Sequence, residues 1–266
     1  MAYLKKYNDI VVMQFDILRN YAGINHFITT RTDGNLNRFN PGFVDWKNPL
    51  EVIENRKKLA SAFSLEPKNM VFCRQTHSDN VAVFNEDEGG NGFYNRDTAI
   101  PDTDAVITNK HKICPVIMTA DCVPIILYDP KNNAIGAVHS GWRGTQKLFL
   151  KKVMTRMHEV FNSRPEDFLC CIGPSAGPCC YEVGDEVVTL FKEIFGENEK
   201  IIHRGDHEKA RLDLWYANEL QALEFGVLPK NIEISRNCSM CQSDNFYSAR
   251  VHKSEVGRTG TGIFLL

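Results

Sequence analysis

The sequence predicts an α/β fold: a single domain in which mixed β-sheets are covered by helices. Three observations carry that expectation. Short β-branched or apolar runs bounded by turn residues recur along the chain. Between them lie four longer stretches whose apolar residues return every three or four positions. The two kinds of segment do not alternate strictly, which argues against a doubly wound parallel sheet. The short runs predict strands over 71–73, 81–84, 105–108, 114–118, 125–128, 134–138 and 170–172. The helical spacing predicts helices over 49–64, 145–161, 183–195 and 212–225. In the second of these, Leu148, Val153, Met157 and Phe161 fall on one face, with lysines and Arg156 interspersed. No repeat, low-complexity tract or Pro/Gly/Ser-rich linker interrupts the chain, so residues 1–266 read as one domain. The loosest stretch, 85–102, contains Gly89, Gly90 and Gly92 and reads as one exposed loop within it.

Composition narrows the function classes. A hydrophobic content of 43% over 266 residues supports a sizeable core, and a net charge of −2 does not signal a nucleic-acid-binding surface. No run of about 18 apolar residues exists to span a membrane, and the N-terminal segment lacks a signal-peptide pattern. Nine cysteines are an odd number in a chain that is not small, and they include the adjacent pairs Cys170/Cys171 and Cys179/Cys180. They read as thiols in a reducing cytoplasm, not as a disulfide framework.

Three segments carry candidate chemistry: Arg74-Gln-Thr-His77, Thr119-Ala-Asp-Cys122-Val-Pro124, and Ala137-Val-His139-Ser-Gly-Trp-Arg-Gly144. Each places a metal-ligand type at or just after a predicted strand, where distant parts of a chain converge on a rigid frame. Two imidazoles and one thiolate suit zinc, and three protein ligands leave a coordination position open for water or substrate. The separations match no short metal signature, so the same residues also read as a nucleophile, Cys122, with His139 as its base. In that case Asp121 or Asp104 would orient the imidazole. A third class is a catalytically silent, metal-stabilised binding protein.

Other residues read more plainly. Cys238-Ser-Met-Cys241 is half of a zinc site at most, and it reads as buried or incidental thiols with a redox pair as the minor alternative. Cys170 and Cys171 read as core, and Cys179-Cys180 as a Gly/Pro-rich turn. Arg56 follows Glu54-Asn on a predicted helix, the pattern of a solvated face. Arg250 and Arg258 lie in C-terminal segments that could form a phosphate-binding lip. Multicopper oxidation needs histidines in H-x-H pairs, and none of the eight histidines is so placed.

Taken together, Gln75-x-His77, Asp102-Thr-Asp-Ala105, Ala120-Asp-Cys122-Val-Pro124, Val138-His139-x-Gly-Trp-Arg-Gly-Thr145, Ile172-Gly-Pro174 with Tyr181-Glu-Val-Gly184, and Phe246-Tyr-Ser with Gly257-Arg-Thr-Gly260 resemble the YfiH, or laccase-domain, family. The resemblance runs in order from about His26 to the C-terminus. It implies a YfiH-like fold related to the catalytic fold of the cytotoxic necrotizing factors. It also implies metal ligands at His77, Cys122 and His139 for one zinc ion. The implied activity is phosphorolysis of adenosine, inosine and methylthioadenosine, with adenosine deamination besides. The partners are then a nucleoside and phosphate. Deamination follows from the ability of zinc to acidify water, with Asp104 or Asp121 moving protons. Phosphorolysis asks for arginines, Arg56 and Arg143, to hold the phosphate.

Overall fold

The computed structural model describes residues 2–35, 38–44, 47–204, 209–253 and 256–266. Among these, strands β1 to β7 are Tyr3–Tyr7, Ile10–Gln14, Ile24–Thr29, Met70–Phe72, Val81–Val83, Ala105–Thr108 and Cys114–Thr119. Strands β8 to β14 are Val123–Asp129, Ala134–Ser140, Leu169–Ile172, Ile202–His203, Arg211–Leu212, Ile232–Ile234 and Thr259–Leu265. Helices α1 to α6 are Pro49–Ala62, Trp142–Gln146, Phe149–Phe161, Asp185–Phe195, Leu214–Phe225 and Ala249–His252.

Two six-stranded mixed sheets result. The first has the order β1-β2-β3-β14-β7-β4 and is antiparallel except for the β7/β4 pair. The second has the order β13-β10-β8-β9-β6-β5, with parallel pairs at both edges. Period-two alternation then decides the layers. In β8, Ile125 and Leu127 join Phe149, Val153, Met157 and Trp215 of the helices, whereas Ile126 and Tyr128 turn to the other side. There they meet Ile28 of β3 and Ile263 of β14. In β3 and β14, Phe27 and Phe264 point away from that interface and pack with Leu59 and Phe63 at α1. The layers are therefore helix, sheet, sheet, helix. Strands buried on both faces explain near-continuous apolar runs such as Val123-Pro-Ile-Ile-Leu-Tyr128. No helix among the described residues is long and apolar enough to cross a membrane.

The predicted strands and helices are all present, with shifted ends. One helix differs in kind: the stretch expected over 145–161 is two helices, because Leu148 is left-handed (φ 56°) and breaks the ladder between α2 and α3. Val153, Met157 and Phe161 keep the buried face, joined by Phe149 and Leu150, while Leu148 leaves it to form the joint. The whole N-terminal half of the first sheet, and β14, lie outside the predicted strands. Edge strand β1 is mostly exposed, and β14 carries Gly260 and Gly262, which lower strand propensity. Gly262 is required by packing: a Cβ there would lie 2.6 Å from the Phe27 ring.

Candidate metal centre

His77, Cys122 and His139 come from three different strand ends and meet where the two sheets adjoin. His77 sits in the loop after β4, Cys122 in the turn that passes from β7 in one sheet to β8 in the other, and His139 near the end of β9. One ligand atom from each lies within 4.8 Å of the other two, so the group could hold a metal ion. His77 Nε2 is 3.8 Å from Cys122 Sγ, and the two imidazole rings are 5.0 Å apart at 68°. Room for this cluster depends on Gly141. An added Cβ would stand 2.9 Å from Cys122 Sγ and 3.3 Å from His77 Cδ2.

Asp104 organises the group from behind. It is fully buried, and its Oδ1 accepts from His139 Nδ1 at 2.6 Å and from the His77 N–H at 3.2 Å. Its Oδ2 accepts from the Thr76 and Ser78 N–H groups and from Ser78 Oγ, at 3.2, 2.7 and 2.8 Å. The His139 N–H also donates to the Asp104 carbonyl at 2.8 Å. With Nδ1 tied to Asp104, His139 presents Nε2 toward Cys122, the nitrogen that a bound ion would take by displacing its proton. The same carboxylate draws three successive N–H groups into a concave turn, which sustains the left-handed backbone of His77 (φ 60°).

The electrostatics of the group are cooperative. Burial disfavours the Cys122 thiolate, but the His139 and His77 imidazoles outweigh it and bring the thiol down to about 6. Burial likewise disfavours charge on His139, yet the Cys122 thiolate and Asp104 raise it to about 9. Burial opposes ionisation of Asp104 too, and its hydrogen bonds, led by that from His139, hold it below the usual carboxylate range. A thiolate beside oriented imidazoles is the state in which a divalent ion of borderline softness is bound.

In front of the three ligands lies a cavity of about 260 Å³. Four guanidinium-bearing side chains, Arg56, Arg74, Arg96 and Arg258, contribute to its wall, and no carboxylate does among the described residues. Arg56 is not on a solvated face as its helix position suggested. It is buried between the rings of Phe72 and Phe43, 3.7 and 4.4 Å from their centroids. It donates to the carbonyls of Pro41, Gly92 and Phe93. Burial pulls its guanidinium down to about 9, so it stays charged at neutral pH. Arg74 and Arg96, which sequence reasoning missed as a pair, are exposed and have no ion-pair partner among the described residues. Arg74 was adjacent to a legible signal, three residues before His77. Arg96 belongs to the 85–102 loop, whose approach to this wall no local pattern discloses.

Arg143 is not part of that wall. It is exposed and stacks on Trp142, 4.3 Å from the ring centroid. Trp142 lines a separate depression with Tyr181 and Arg250, and that depression contains none of the three ligands. Arg250 donates to the Glu182 carbonyl and stacks on Tyr181, so only Arg258 of the expected C-terminal lip reaches the cavity. Asp121 (φ 80°) is engaged by other partners. Its carboxylate accepts from Ser239 Oγ at 2.7 Å and from the Arg250 N–H at 3.0 Å.

Comparison with known proteins adds four findings. Residues 25–266 match the model of a family described as multi-copper polyphenol oxidoreductase laccase. A purine nucleoside phosphorylase of Bacteroides thetaiotaomicron is 34% identical, over 96% of this chain and 96% of its own. The adenosine deaminase RL5, from an unknown prokaryotic organism, is also 34% identical, over 96% of this chain and 99% of its own. Among solved structures, YlmD from Geobacillus stearothermophilus superposes with a TM-score of 0.89 at 27% identity, covering 98% of this chain and 97% of that one.

Proposed function

The chain belongs to the multi-copper polyphenol oxidoreductase laccase family, and from that premise we propose that it is a zinc-dependent purine nucleoside phosphorylase that also deaminates adenosine. Adenosine, inosine and methylthioadenosine are the nucleosides. The observation that carries the reading is a cavity with a three-donor metal group at one side, four arginines in its wall and no carboxylate among the described residues. Such a wall selects for an anionic co-substrate, and phosphate is the anion of phosphorolysis. The names and high coverage of the two relatives support the same class of chemistry.

In phosphorolysis a phosphate oxygen bonds to the ribose C1′ as the bond from C1′ to the purine nitrogen breaks, giving ribose 1-phosphate and the free base. Arg74 and Arg96 take the phosphate charge directly, being exposed at the cavity and without ion-pair partners among the described residues. Arg56 adds a fixed positive charge behind them and shapes the wall through the carbonyls of Gly92 and Phe93. His77, Cys122 and His139 hold the ion, and zinc there supplies Lewis acidity. Asp104 acts as a positioning residue, since its oxygens are occupied by five donors and it does not line the cavity. Gln75 clamps the cavity floor by exchanging two 2.7 Å hydrogen bonds with the backbone of Met118. Multicopper oxidation, which the family description names, finds no cluster of histidines beyond this one pair among the described candidate metal groups.

The test is turnover of purified, zinc-loaded protein on adenosine with phosphate. Ribose 1-phosphate forms with the wild type and falls to background in His77→Ala; equal formation by both would remove the assignment. The Cys122–His139–Asp104 alignment favours a second reading, a cysteine hydrolase or amidase. Release of ammonia from an amide substrate by metal-free protein, abolished by Cys122→Ser, would select it.

A further inference from the structure

Cys238-Ser-Met-Cys241 supplies only half of a metal site, and the fold brings the other half to it. The loop after β10 carries Cys179 and Cys180, and the segment after β13 carries Cys238 and Cys241. Their four Sγ atoms all lie within 4.8 Å of one another. Cys241 Sγ is 3.3 Å from that of Cys180 and 3.5 Å from that of Cys179. We propose that these four cysteines bind a second divalent ion of the zinc class in a tetrahedral, structural tetrathiolate site.

The number of donors is the first reason. Four thiolates close the coordination sphere, as structural zinc requires, whereas His77, Cys122 and His139 leave a position open. Zinc–sulfur bonds of about 2.3 Å put the sulfurs of a tetrahedron about 3.8 Å apart, so the observed cluster needs only small adjustments to close on an ion. A disulfide would use two of these thiols and give no reason for four to converge.

The surroundings of the sulfurs also fit. Cys238 Sγ accepts the Gly177 N–H at 3.3 Å. Such a donor offsets the negative charge that four thiolates carry around a dication. The Arg211 guanidinium adds to this, donating to the Cys179 carbonyl at 3.3 Å. Gly177 keeps the approach open, since a Cβ there would lie 2.5 Å from the Trp215 ring and 3.3 Å from Cys238 Cβ. Cys179 and Cys241 are exposed, which provides an entry path for the ion. Each thiol releases one proton as the ion binds.

The position gives the site its purpose. Beside the cluster, Ser175 pairs with Cys238, and the Ser239 N–H donates to the Ser175 carbonyl at 2.9 Å. Ser239 Oγ and the Arg250 N–H both hold the carboxylate of Asp121, and the Ala176 N–H holds its carbonyl at 2.9 Å. Asp121 directly precedes Cys122. The ion would therefore pin together the two loops that grip the turn carrying Cys122.

The experiment counts ions by elemental mass spectrometry on protein purified under reducing conditions and equilibrated with zinc. Wild type is expected to hold two per chain, and Cys122→Ala and Cys179→Ser/Cys241→Ser one each. Cobalt(II) added to metal-free Cys122→Ala should give the intense visible and sulfur-to-metal charge-transfer bands of a tetrathiolate. Those bands should vanish in Cys122→Ala/Cys241→Ser. Because the reporter protein already lacks Cys122, the result is independent of the activity proposed above. A single wild-type ion that is lost in Cys122→Ala, or two that survive loss of Cys179 and Cys241, would overturn the proposal. So would tetrathiolate bands that fail to appear in folded, reduced Cys122→Ala, or mass spectrometry that finds Cys241 disulfide-bonded in the zinc-equilibrated wild type.

Discussion

Replacing Asp104 by Asn changes one atom type at the point where five donors converge, and its cost can be worked through from the structure. If the new amide nitrogen takes the place of Oδ2, the N–H groups of Thr76 and Ser78 both lose their acceptor. At no more than about 1–3 kcal/mol for each orphaned, part-buried donor, that orientation costs up to about 2–6 kcal/mol. If it takes the place of Oδ1, only the His77 N–H is orphaned, at about 1–3 kcal/mol, provided that His139 turns its Nδ1 into an acceptor. The second orientation wins. The neutral His139 must then keep its proton on Nε2, facing Cys122, whereas in the wild type Asp104 keeps it on Nδ1 when an ion displaces the one on Nε2. Asp104→Asn should thus lose about 1–3 kcal/mol of stability, which at about 2–4 °C per kcal/mol lowers Tm by roughly 2–12 °C. Zinc affinity should fall about 10–100-fold, the usual consequence of losing a residue that orients a ligating histidine. Thermal melts followed by circular dichroism in chelator report the first quantity, and competition with a chromophoric chelator reports the second. A folded Asp104→Asn protein that binds zinc as tightly as the wild type would refute the tautomer argument.

Three further outcomes follow from the same geometry. Gly141→Ala should abolish zinc binding at the three-ligand group, because its methyl contacts Cys122 Sγ and His77, while overpacking costs about 1–3 kcal/mol; retained affinity in a titration would contradict this. Arg74→Ala with Arg96→Ala should raise the KM for phosphate by at least about tenfold, equivalent to about 1.4 kcal/mol, without lowering Tm, since both side chains are exposed. An unchanged phosphate KM would exclude them as anion ligands. In metal-stripped protein, Cys122 should be alkylated by iodoacetamide with a rate that falls as pH drops through about 6, because the lowered pKa keeps the thiolate above that pH. A midpoint in the ordinary thiol range would show that the imidazoles do not act on it.

That His77, Cys122 and His139 come together was readable only weakly from their places at strand ends, and the family resemblance is what singled them out. What surrounds them was not readable. From the sequence, Asp104 and Asp121 are equal candidates to move protons or to orient the imidazole, and only the fold reveals that the Asp104 carboxylate serves both the His77 loop and His139. Arg56 has the helix spacing of a surface residue. It is buried by Phe43, Phe72 and three carbonyls that arrive from two separate loops, contacts that no local window contains. Arg143, read as a phosphate ligand, stacks on Trp142 outside the lining of the cavity. The helices were visible through periodicity, but the break at Leu148 was not, since leucine gives no warning of a left-handed joint. The four clustered cysteines illustrate the same limit: adjacent pairs and a C-x-x-C are visible, and their convergence is not.

The place of β14 has a consequence for how the molecule comes into being. This strand lies between β3 and β7, and the Gly260 N–H reaches Thr29 Oγ1 across 231 residues of sequence. During synthesis, β3 and β7 must wait with unpaired facing edges until the chain through Leu265 has emerged, whereas β5, β6, β8, β9 and β10 of the second sheet can already pair. So long a loop closure makes completion of the first sheet a slow event. Because Cys122 follows β7, the nascent chain should gain its grip on the ion only after that last strand inserts. A chaperone that shields β7 in the interval would protect the future metal centre as well as the sheet.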